Sequence, residues 1–86
     1  MTYEVLLDPK VVKFLNGLSN DIASRVKDKL KELKENPFHY LEHYEGGDFY
    51  KLRIGEYRAL VDVDTKKKII FIRVFDHRSR IYKRKY

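Results

Sequence analysis

The sequence predicts an α+β fold in which a helical hairpin packs on one face of a mainly antiparallel, four-stranded sheet. Two observations carry this prediction: residues 9–36 have apolar side chains at helical spacing, and residues 49–75 largely alternate between apolar and polar side chains. The expected order is β-α-α-β-β-β, followed by a basic C-terminal tail. Eighty-six residues suit one domain, so we expect a single domain over residues 1–86.

The N-terminal half is predicted to form one strand and two helices. Tyr3, Val5 and Leu7 alternate with Glu4, which is typical of a strand. Asp8 then supplies a helix N-cap, Pro9 suits the first helical position, and Pro37 ends the second helix. Residues 38–48 have no regular period and are predicted to form a loop. The apolar stripe of the second helix consists of Ile22, Val26, Leu30 and Leu33.

The C-terminal half is predicted to form a meander of three strands. Gly55 and Glu56 join the first two strands, and the leading glycine suits a two-residue type II′ turn. The strands are expected over residues 49–54, 57–63 and 68–75. Alternation gives the sheet one almost wholly apolar face, which the helical hairpin can cover. This face should consist of Tyr50, Leu52, Ile54, Tyr57, Ala59, Val61, Val63, Ile70, Ile72 and Val74.

Basic side chains are expected to lie together on the other face of the sheet. A two-residue turn fixes the register, so Arg53 should pair with Arg58. If residues 63 and 68 pair across the next turn, Arg58 should also face Arg73. Opposed like charges are destabilising unless an anion lies between them, and guanidinium groups suit bidentate phosphate binding, which favours RNA phosphate. The full set should be Lys51, Arg53, Arg58 and Arg73, with Leu60, Phe71 and Phe75 between them.

Two features of this face have alternative interpretations. Glu56, Asp62 or Asp76 could neutralise the arginines in a local salt-bridge network, although the register places only Asp62 on the same face from within the strands. Phe71 and Phe75 could stack on RNA bases, as aromatic residues do in many RNA-binding proteins, or could form the contact surface for a protein partner. The sequence does not separate these roles.

Charge and composition limit the function classes. Residues 1–48 carry a net charge of −2 and residues 49–86 carry +8, as expected of a protein that meets a polyanion with one surface, although a generally lysine-rich, soluble surface is the alternative. The chain has no cysteine, no apolar run near the roughly 20 residues of a membrane span, and no signal-peptide pattern, so we expect a cytoplasmic protein without membrane contacts. His39, Glu42 and His43 lack a helical scaffold for a metal. We expect neither metal nor cofactor.

Two motifs give the chain a family resemblance. The segment YKLRIGEYR, residues 50–58, has basic residues on either side of a glycine turn. After the last strand, His77, Arg78 and Tyr82 form an HRxxxY element. With the expected order of elements, these motifs resemble the RelE family of toxins, within the RelE/ParE superfamily of toxin–antitoxin systems. The resemblance covers nearly the whole chain.

The resemblance implies a ribosome-dependent endoribonuclease that cleaves mRNA in the decoding (A) site and inhibits translation. It also implies a cognate RelB-like antitoxin and a hetero-oligomeric toxin–antitoxin complex. By position, the implied site residues are Lys51, Arg53, Arg58, Arg78 and Tyr82, with His77 at a position that is basic or histidine in relatives. Arg73 has no counterpart with a known role, so its assignment to RNA binding rests on register alone. Lys83, Arg84 and Lys85 are expected to grip ribosomal RNA or to keep the protein soluble.

The chemistry of RNA cleavage fits these residue types. RNA carries its own nucleophile, the 2′-hydroxyl, so an enzyme needs only to position it, remove its proton and stabilise charge on the phosphate. Arginine almost never releases a proton, so Arg53, Arg58 and Arg78 are expected to stabilise the transition state. Tyr82 and His77 remain as candidate general bases. A tyrosine pKa is ordinarily about 10 and would need nearby cations, whereas histidine titrates near neutrality.

Two further function classes remain open at the level of sequence. A ParE-like toxin would share the fold, lack nuclease activity and poison DNA gyrase. A non-catalytic RNA-binding domain would use the same basic face without cleaving its ligand. The basic residues together with Arg78 and Tyr82 favour the nuclease.

Overall fold

The computed structural model describes residues 2–43 and 49–81, which form five strands and four helices. The elements are β1 (Glu4–Leu7), α1 (Pro9–Asn16), α2 (Asn20–Glu35), α3 (Pro37–Tyr40), β2 (Leu41–His43), β3 (Tyr50–Ile54), β4 (Tyr57–Asp64), β5 (Ile69–His77) and α4 (Arg78–Ile81). The sheet order is β1-β5-β4-β3-β2, with β1 parallel to β5 and the other neighbours antiparallel. The α+β prediction is confirmed, with one more strand than expected.

The additional elements lie in two segments that were predicted to be irregular. The helix α3 begins at Pro37 and extends into the predicted loop, where the three-residue β2 pairs with β3. In the predicted tail, Asp76 and His77 complete β5, and Arg78–Ile81 form α4, which contacts β4 and β5. A strand of three residues is too short to show alternation, and a four-residue helix is too short to show helical period. Both elements depend on tertiary contacts.

The helical hairpin begins and packs as the sequence predicts. The Asp8 carboxylate accepts a hydrogen bond from the backbone N–H of Lys10 at 2.9 Å, which satisfies a free donor at the start of α1. The predicted stripe of α2 faces the sheet, and Val26 and Leu33 are fully buried. Apolar burial of this kind supplies most of the stability of a small domain. The core formed with the sheet is Tyr3, Val11, Val26, Leu33, Leu41, Leu52, Ile54, Ala59, Val61, Ile70, Ile72 and Phe75.

A register shift in the second hairpin changes which side chains share a face. The first hairpin has the expected register, with Arg53 opposite Arg58. Between β4 and β5, Val61 pairs with Ile72 but Leu60 pairs with Val74, so Arg73 is an extra residue, which is the arrangement of a β-bulge. Arg58 therefore faces Asp76, and the predicted pairing of Arg58 with Arg73 is wrong.

The same bulge exchanges two predicted positions further along β5. Phe75 lies in the core, 4% exposed, and its ring stacks on Tyr57 with centroids 5.5 Å apart. Val74 instead lies opposite Leu60 on the other face. Both assignments were predicted the other way round, because one inserted residue reverses the alternation of every residue that follows it. The expected pairing of residues 63 and 68 is also wrong, since Val63 pairs with Ile70.

The turn between β3 and β4 depends on a left-handed glycine. Gly55 has φ +57°, whereas Glu56 is not among the residues with positive φ, and this pattern agrees with the predicted type II′ turn.

Gly55→Ala should lower the free energy of unfolding by about 1–2 kcal/mol in urea titrations, because a Cβ is unfavourable in this region. Gly17→Ala is the control. Gly17 has φ −89° and a Cβ there would lie 3.5 Å from the Phe14 carbonyl oxygen, so stability should not fall. Equal losses in both variants would contradict this interpretation.

Candidate functional site

The candidate site is the face of the sheet that the helical hairpin leaves uncovered, together with α4. We call the uncovered face of the sheet the basic face. Strand alternation and the bulge define its members, which are Lys51, Arg53, Arg58, Leu60, Asp62, Phe71, Arg73, Val74 and Asp76. Leu60 is 1% exposed although it lies outside the main core cluster, and Ile81 of α4 is equally buried. Since α4 contacts β4 and β5, this short helix covers part of the basic face.

Arg53 and Arg58 are cross-strand neighbours with different environments. Arg58 is only 8% exposed, and its Nη1 donates hydrogen bonds to the carbonyl oxygens of Gly55 and Tyr57, both at 2.7 Å. Arg53 is exposed and forms no ion pair with the carboxylates of residues 2–43 and 49–81. The turn therefore fixes one guanidinium group and leaves a second one accessible beside it. An anion is the natural ligand for such a pair.

Three other basic side chains at this surface form ion pairs with exposed carboxylates. Arg78 Nε lies 2.9 Å from Glu56 Oε2, and Arg73 Nη1 lies 3.1 Å from Asp62 Oδ2. The third pair joins Lys51 Nζ to Glu42 Oε2 at 3.4 Å. The salt-bridge network considered from the sequence is therefore present for these three residues, although it includes Glu42, which that interpretation omitted. Arg73 also lies over the ring of Phe49, 5.5 Å from its centroid.

A buried carboxylate attaches α4 to the end of β5. The Asp76 side chain is 3% exposed, and its Oδ1 accepts from the His77 backbone N–H at 2.7 Å and lies 3.2 Å from Arg80 Nε. A second attachment joins the Arg78 backbone N–H to the Glu56 carbonyl oxygen at 2.8 Å. The i,i+4 spacing of Asp76 and Arg80 could have indicated their contact, had residues after 77 been predicted helical. Neither residue was predicted as part of the site.

The ring of His77 is oriented by Ser79. The Ser79 backbone N–H donates to His77 Nδ1 at 3.2 Å, and Ser79 Oγ lies 2.9 Å from the same nitrogen. Because Nδ1 accepts here, the ring proton of a neutral His77 is on Nε2. In this arrangement the ring offers a ligand a hydrogen-bond donor rather than a base. The His77 ring also contacts Tyr57 in a T-shaped arrangement, with centroids 5.7 Å apart.

The other predicted residues divide into two groups. Phe71 is half-buried and lies on the basic face, opposite Asp62 of β4 and Leu6 of β1, whereas Phe75 is part of the core and cannot stack on a base from the basic face. Tyr82, Lys83, Arg84 and Lys85 lie outside the described residues.

The described residues show neither a metal cluster nor a membrane span. Residues 2–43 and 49–81 contain no group of three His, Cys, Asp or Glu side chains placed to hold a metal ion. Within the same residues, no helix has both the length and the apolar character required to cross a bilayer.

The family follows from comparison with known proteins. The family model described as the ParE toxin of the type II toxin–antitoxin system parDE matches residues 5–82. The chain belongs to the RelE/ParE superfamily of toxins. It is therefore a toxin of a type II toxin–antitoxin system, and the resemblance noted from its motifs is confirmed. A comparison with curated protein sequences gives no match.

Solved structures of RelE proteins share the fold of this toxin. The RelE–RelB complex of Pyrococcus horikoshii OT3 is similar at 30% identity and a TM-score of 0.78, over 93% of this chain and 99% of that chain. The Escherichia coli RelBE toxin–antitoxin complex is similar at 26% identity and a TM-score of 0.72, over 87% of this chain and 95% of that chain. The RelBE2 complex of Mycobacterium tuberculosis shares the fold at 23% identity and a TM-score of 0.79, over 91% of this chain and 100% of that chain.

Proposed function

We propose that this toxin is a metal-independent, ribosome-dependent endoribonuclease that acts in the cytoplasm, where it cleaves mRNA in the decoding site and inhibits translation. The observation that carries the proposal is the pair formed by Arg53 and Arg58. One guanidinium group is fixed by two carbonyl oxygens, and its exposed neighbour has no partner among the described carboxylates. Charge that is already oriented before the substrate arrives stabilises a phosphorane-like transition state at little reorganisation cost.

The remaining roles are assigned from the chemistry of the reaction. In this proposal the 2′-hydroxyl of the mRNA loses its proton to the base and its oxygen attacks the adjacent phosphorus. The bond from phosphorus to the 5′-oxygen breaks, which leaves a 2′,3′-cyclic phosphate on one fragment and a 5′-hydroxyl, protonated by water, on the other. Arg53, Arg58 and Arg78 stabilise the charge on the phosphate oxygens. Tyr82 is the proposed base, because Nδ1 of His77 is occupied by Ser79. His77 would then donate a hydrogen bond through Nε2. Lys51 and Arg73 contact flanking phosphates.

Dependence on the ribosome is expected because the described residues of the site offer mainly positive charge and little that could bend the RNA. RNA cleavage requires the attacking oxygen and the leaving oxygen to be in line with the phosphorus, and free RNA rarely adopts this geometry. A surface that supplies mainly positive charge stabilises the transition state but does little to bend the substrate. The ribosome would hold the message in a fixed conformation. Lys83, Arg84 and Lys85 would contact ribosomal RNA without reading its sequence.

A RelB-like antitoxin is the proposed protein partner. The P. horikoshii and E. coli structures are described as complexes of RelE with RelB, and by analogy we propose a hetero-oligomeric complex for this toxin. A chain with a C-terminal half of net charge +8 favours an acidic or amphipathic partner that covers the basic face. A neighbouring open reading frame encoding such a chain would support this proposal.

The second candidate function is that of a gyrase poison, and one observation favours it. The family model that matches residues 5–82 is that of the ParE toxin. A ParE-like toxin would bind DNA gyrase and would cleave no RNA. The basic face is the argument against this candidate, because a gyrase-binding surface has no requirement for an exposed arginine beside a fixed one.

Translation of a defined message on purified ribosomes separates these functions. We expect the purified toxin to produce fragments whose 5′ ends map to the decoding site, and to leave gyrase supercoiling unchanged. The same message without ribosomes should remain largely intact. Inhibition of gyrase without decoding-site fragments would support the ParE-like function. RNA binding without either activity would support a non-catalytic RNA-binding domain.

A further inference from the structure

Three basic residues of the candidate site are paired with carboxylates that are themselves exposed to solvent. The side chains of Glu56 and Glu42 are 62% and 61% exposed, and that of Asp62 is 42% exposed. Their partners are Arg78, Lys51 and Arg73. Each carboxylate comes from a different place in the fold: the β3–β4 turn, the edge strand β2, and the middle of β4. The pairing therefore recurs across the basic face and is not one local contact.

These pairs differ in kind from the contacts that hold Arg58 and Asp76. Arg58 is bound to backbone carbonyls, which cannot leave without changing the turn, and Asp76 is 3% exposed. An exposed carboxylate, in contrast, loses little on release because water replaces its partner. A phosphate oxygen can take the place that a carboxylate oxygen leaves, since both accept hydrogen bonds from the same guanidinium or ammonium group. In each of the three exposed pairs, the carboxylate can therefore be replaced by a phosphate.

We propose that Glu42, Glu56 and Asp62 are specificity-determining residues that occupy phosphate positions in the unbound toxin and so weaken its binding to free RNA. This inference rests on the proposed function only in taking the basic face as the RNA-binding surface. Each phosphate that reaches Lys51, Arg73 or Arg78 must displace one carboxylate. A short, flexible single-stranded RNA gains little binding free energy from that exchange. A folded RNA with a dense, fixed array of phosphates gains more, because its contacts form together.

The size of the effect follows from the strength of exposed ion pairs. Each exposed pair corresponds to a factor of about 1.4 to 5 in a binding constant. Removing all three competitors should therefore raise the affinity for single-stranded RNA by about 3- to 125-fold. The salt dependence should change as well. Up to three more phosphate contacts would steepen the slope of log K against log salt by about 2.

The experiment compares two variants with the same change in net charge. The first, E42Q/E56Q/D62N, is called the basic-face variant and removes the three exposed carboxylates that pair with Lys51, Arg78 and Arg73. The matched control, D21N/D28N/E35Q, removes three exposed carboxylates from α2, on the other side of the sheet. Affinity for a labelled short oligouridine is measured by fluorescence anisotropy over a range of salt concentrations. Thermal unfolding of each variant shows whether it is folded.

The expected result is a gain for the basic-face variant about tenfold larger than the gain for the control, with the steeper salt slope. Equal gains would overturn the inference, because the effect would then be one of net charge alone. No gain in either variant would also overturn it. The ribosome assay on the unmodified toxin tests the proposed function separately, since a toxin that fails to cut mRNA still yields the comparison of RNA affinities.

Discussion

Arg58→Ala is expected to lower the rate of mRNA cleavage on ribosomes by about 100- to 1,000-fold, because it removes the fixed positive charge beside the reacting phosphate. It should also destabilise the fold. Arg58 is 8% exposed, and its loss leaves the carbonyl oxygens of Gly55 and Tyr57 without their donor. An unsatisfied polar group of this kind costs about 1–3 kcal/mol. Single-turnover cleavage and urea unfolding measure the two effects independently.

Arg78→Ala is the matched control for this prediction. The Arg78 side chain is 59% exposed and pairs with the exposed Glu56, so its removal should change the free energy of unfolding by less than about 1 kcal/mol. Its cleavage rate should still fall. Arg58→Lys keeps a positive charge but cannot serve two carbonyl groups and a phosphate with the same geometry, so it should recover only part of the activity. Cleavage at the unmodified rate by Arg58→Ala would exclude Arg58 from the reaction.

The contrast between Arg58 and Arg78 could not be predicted from the sequence. The two-residue turn fixes the register of the first hairpin, so the neighbourhood of Arg53 and Arg58 was predictable. The burial of Arg58 was not, because α4 covers part of the face and residues 78–81 give no helical signal by themselves. Residues 78–81 were predicted to belong to a basic C-terminal tail without a helix. Its fold depends on Asp76 and Glu56, which hold it from two sides.

The second hairpin shows a different limit of sequence analysis. Nothing in the pattern of residues 68–77 marks Arg73 as an extra residue, since either register places apolar side chains in the core. Phe75 and Val74 are both apolar, and their exchange between faces leaves the hydrophobic pattern acceptable. The packing of Phe75 against Phe14, with centroids 5.7 Å apart, and against Tyr57 favours the shifted register. Aromatic packing with α1 is a tertiary property, so strand alternation alone predicted the wrong face of the sheet for Phe75.

The sequence left open whether carboxylates neutralise the basic residues. In the structure, some of these basic residues have a carboxylate partner and others do not. Arg73, Arg78 and Lys51 have carboxylate partners, whereas Arg53 has none among the described residues. The expected ladder of three stacked arginines is thus reduced to one pair, Arg53 and Arg58. The strand alternation could place a cation on a face. It could not show which turn or edge would bring a carboxylate to that cation.

Asp76→Ala is expected to destabilise the toxin by about 1–3 kcal/mol and to lower the cleavage rate by at least about tenfold. The first effect arises because the His77 backbone N–H and Arg80 lose a buried acceptor. The second arises because α4 loses its contact with Asp76, and Arg78 moves with α4. Misplacement of a catalytic group by about 1 Å can cost about 100-fold in rate. Urea unfolding, hydrogen exchange at the Ile81 amide and single-turnover cleavage measure these changes.

Arg80→Ala completes a double-mutant cycle that tests how Asp76 acts. If Asp76 holds α4 through Arg80, the losses in cleavage rate for Asp76→Ala and Arg80→Ala should be far from additive, because both remove one contact. Asp76→Asn should retain part of the function, since its amide oxygen can still accept from the His77 N–H. Strict additivity together with unchanged exchange at Ile81 would contradict the role of Asp76 in holding α4 through Arg80.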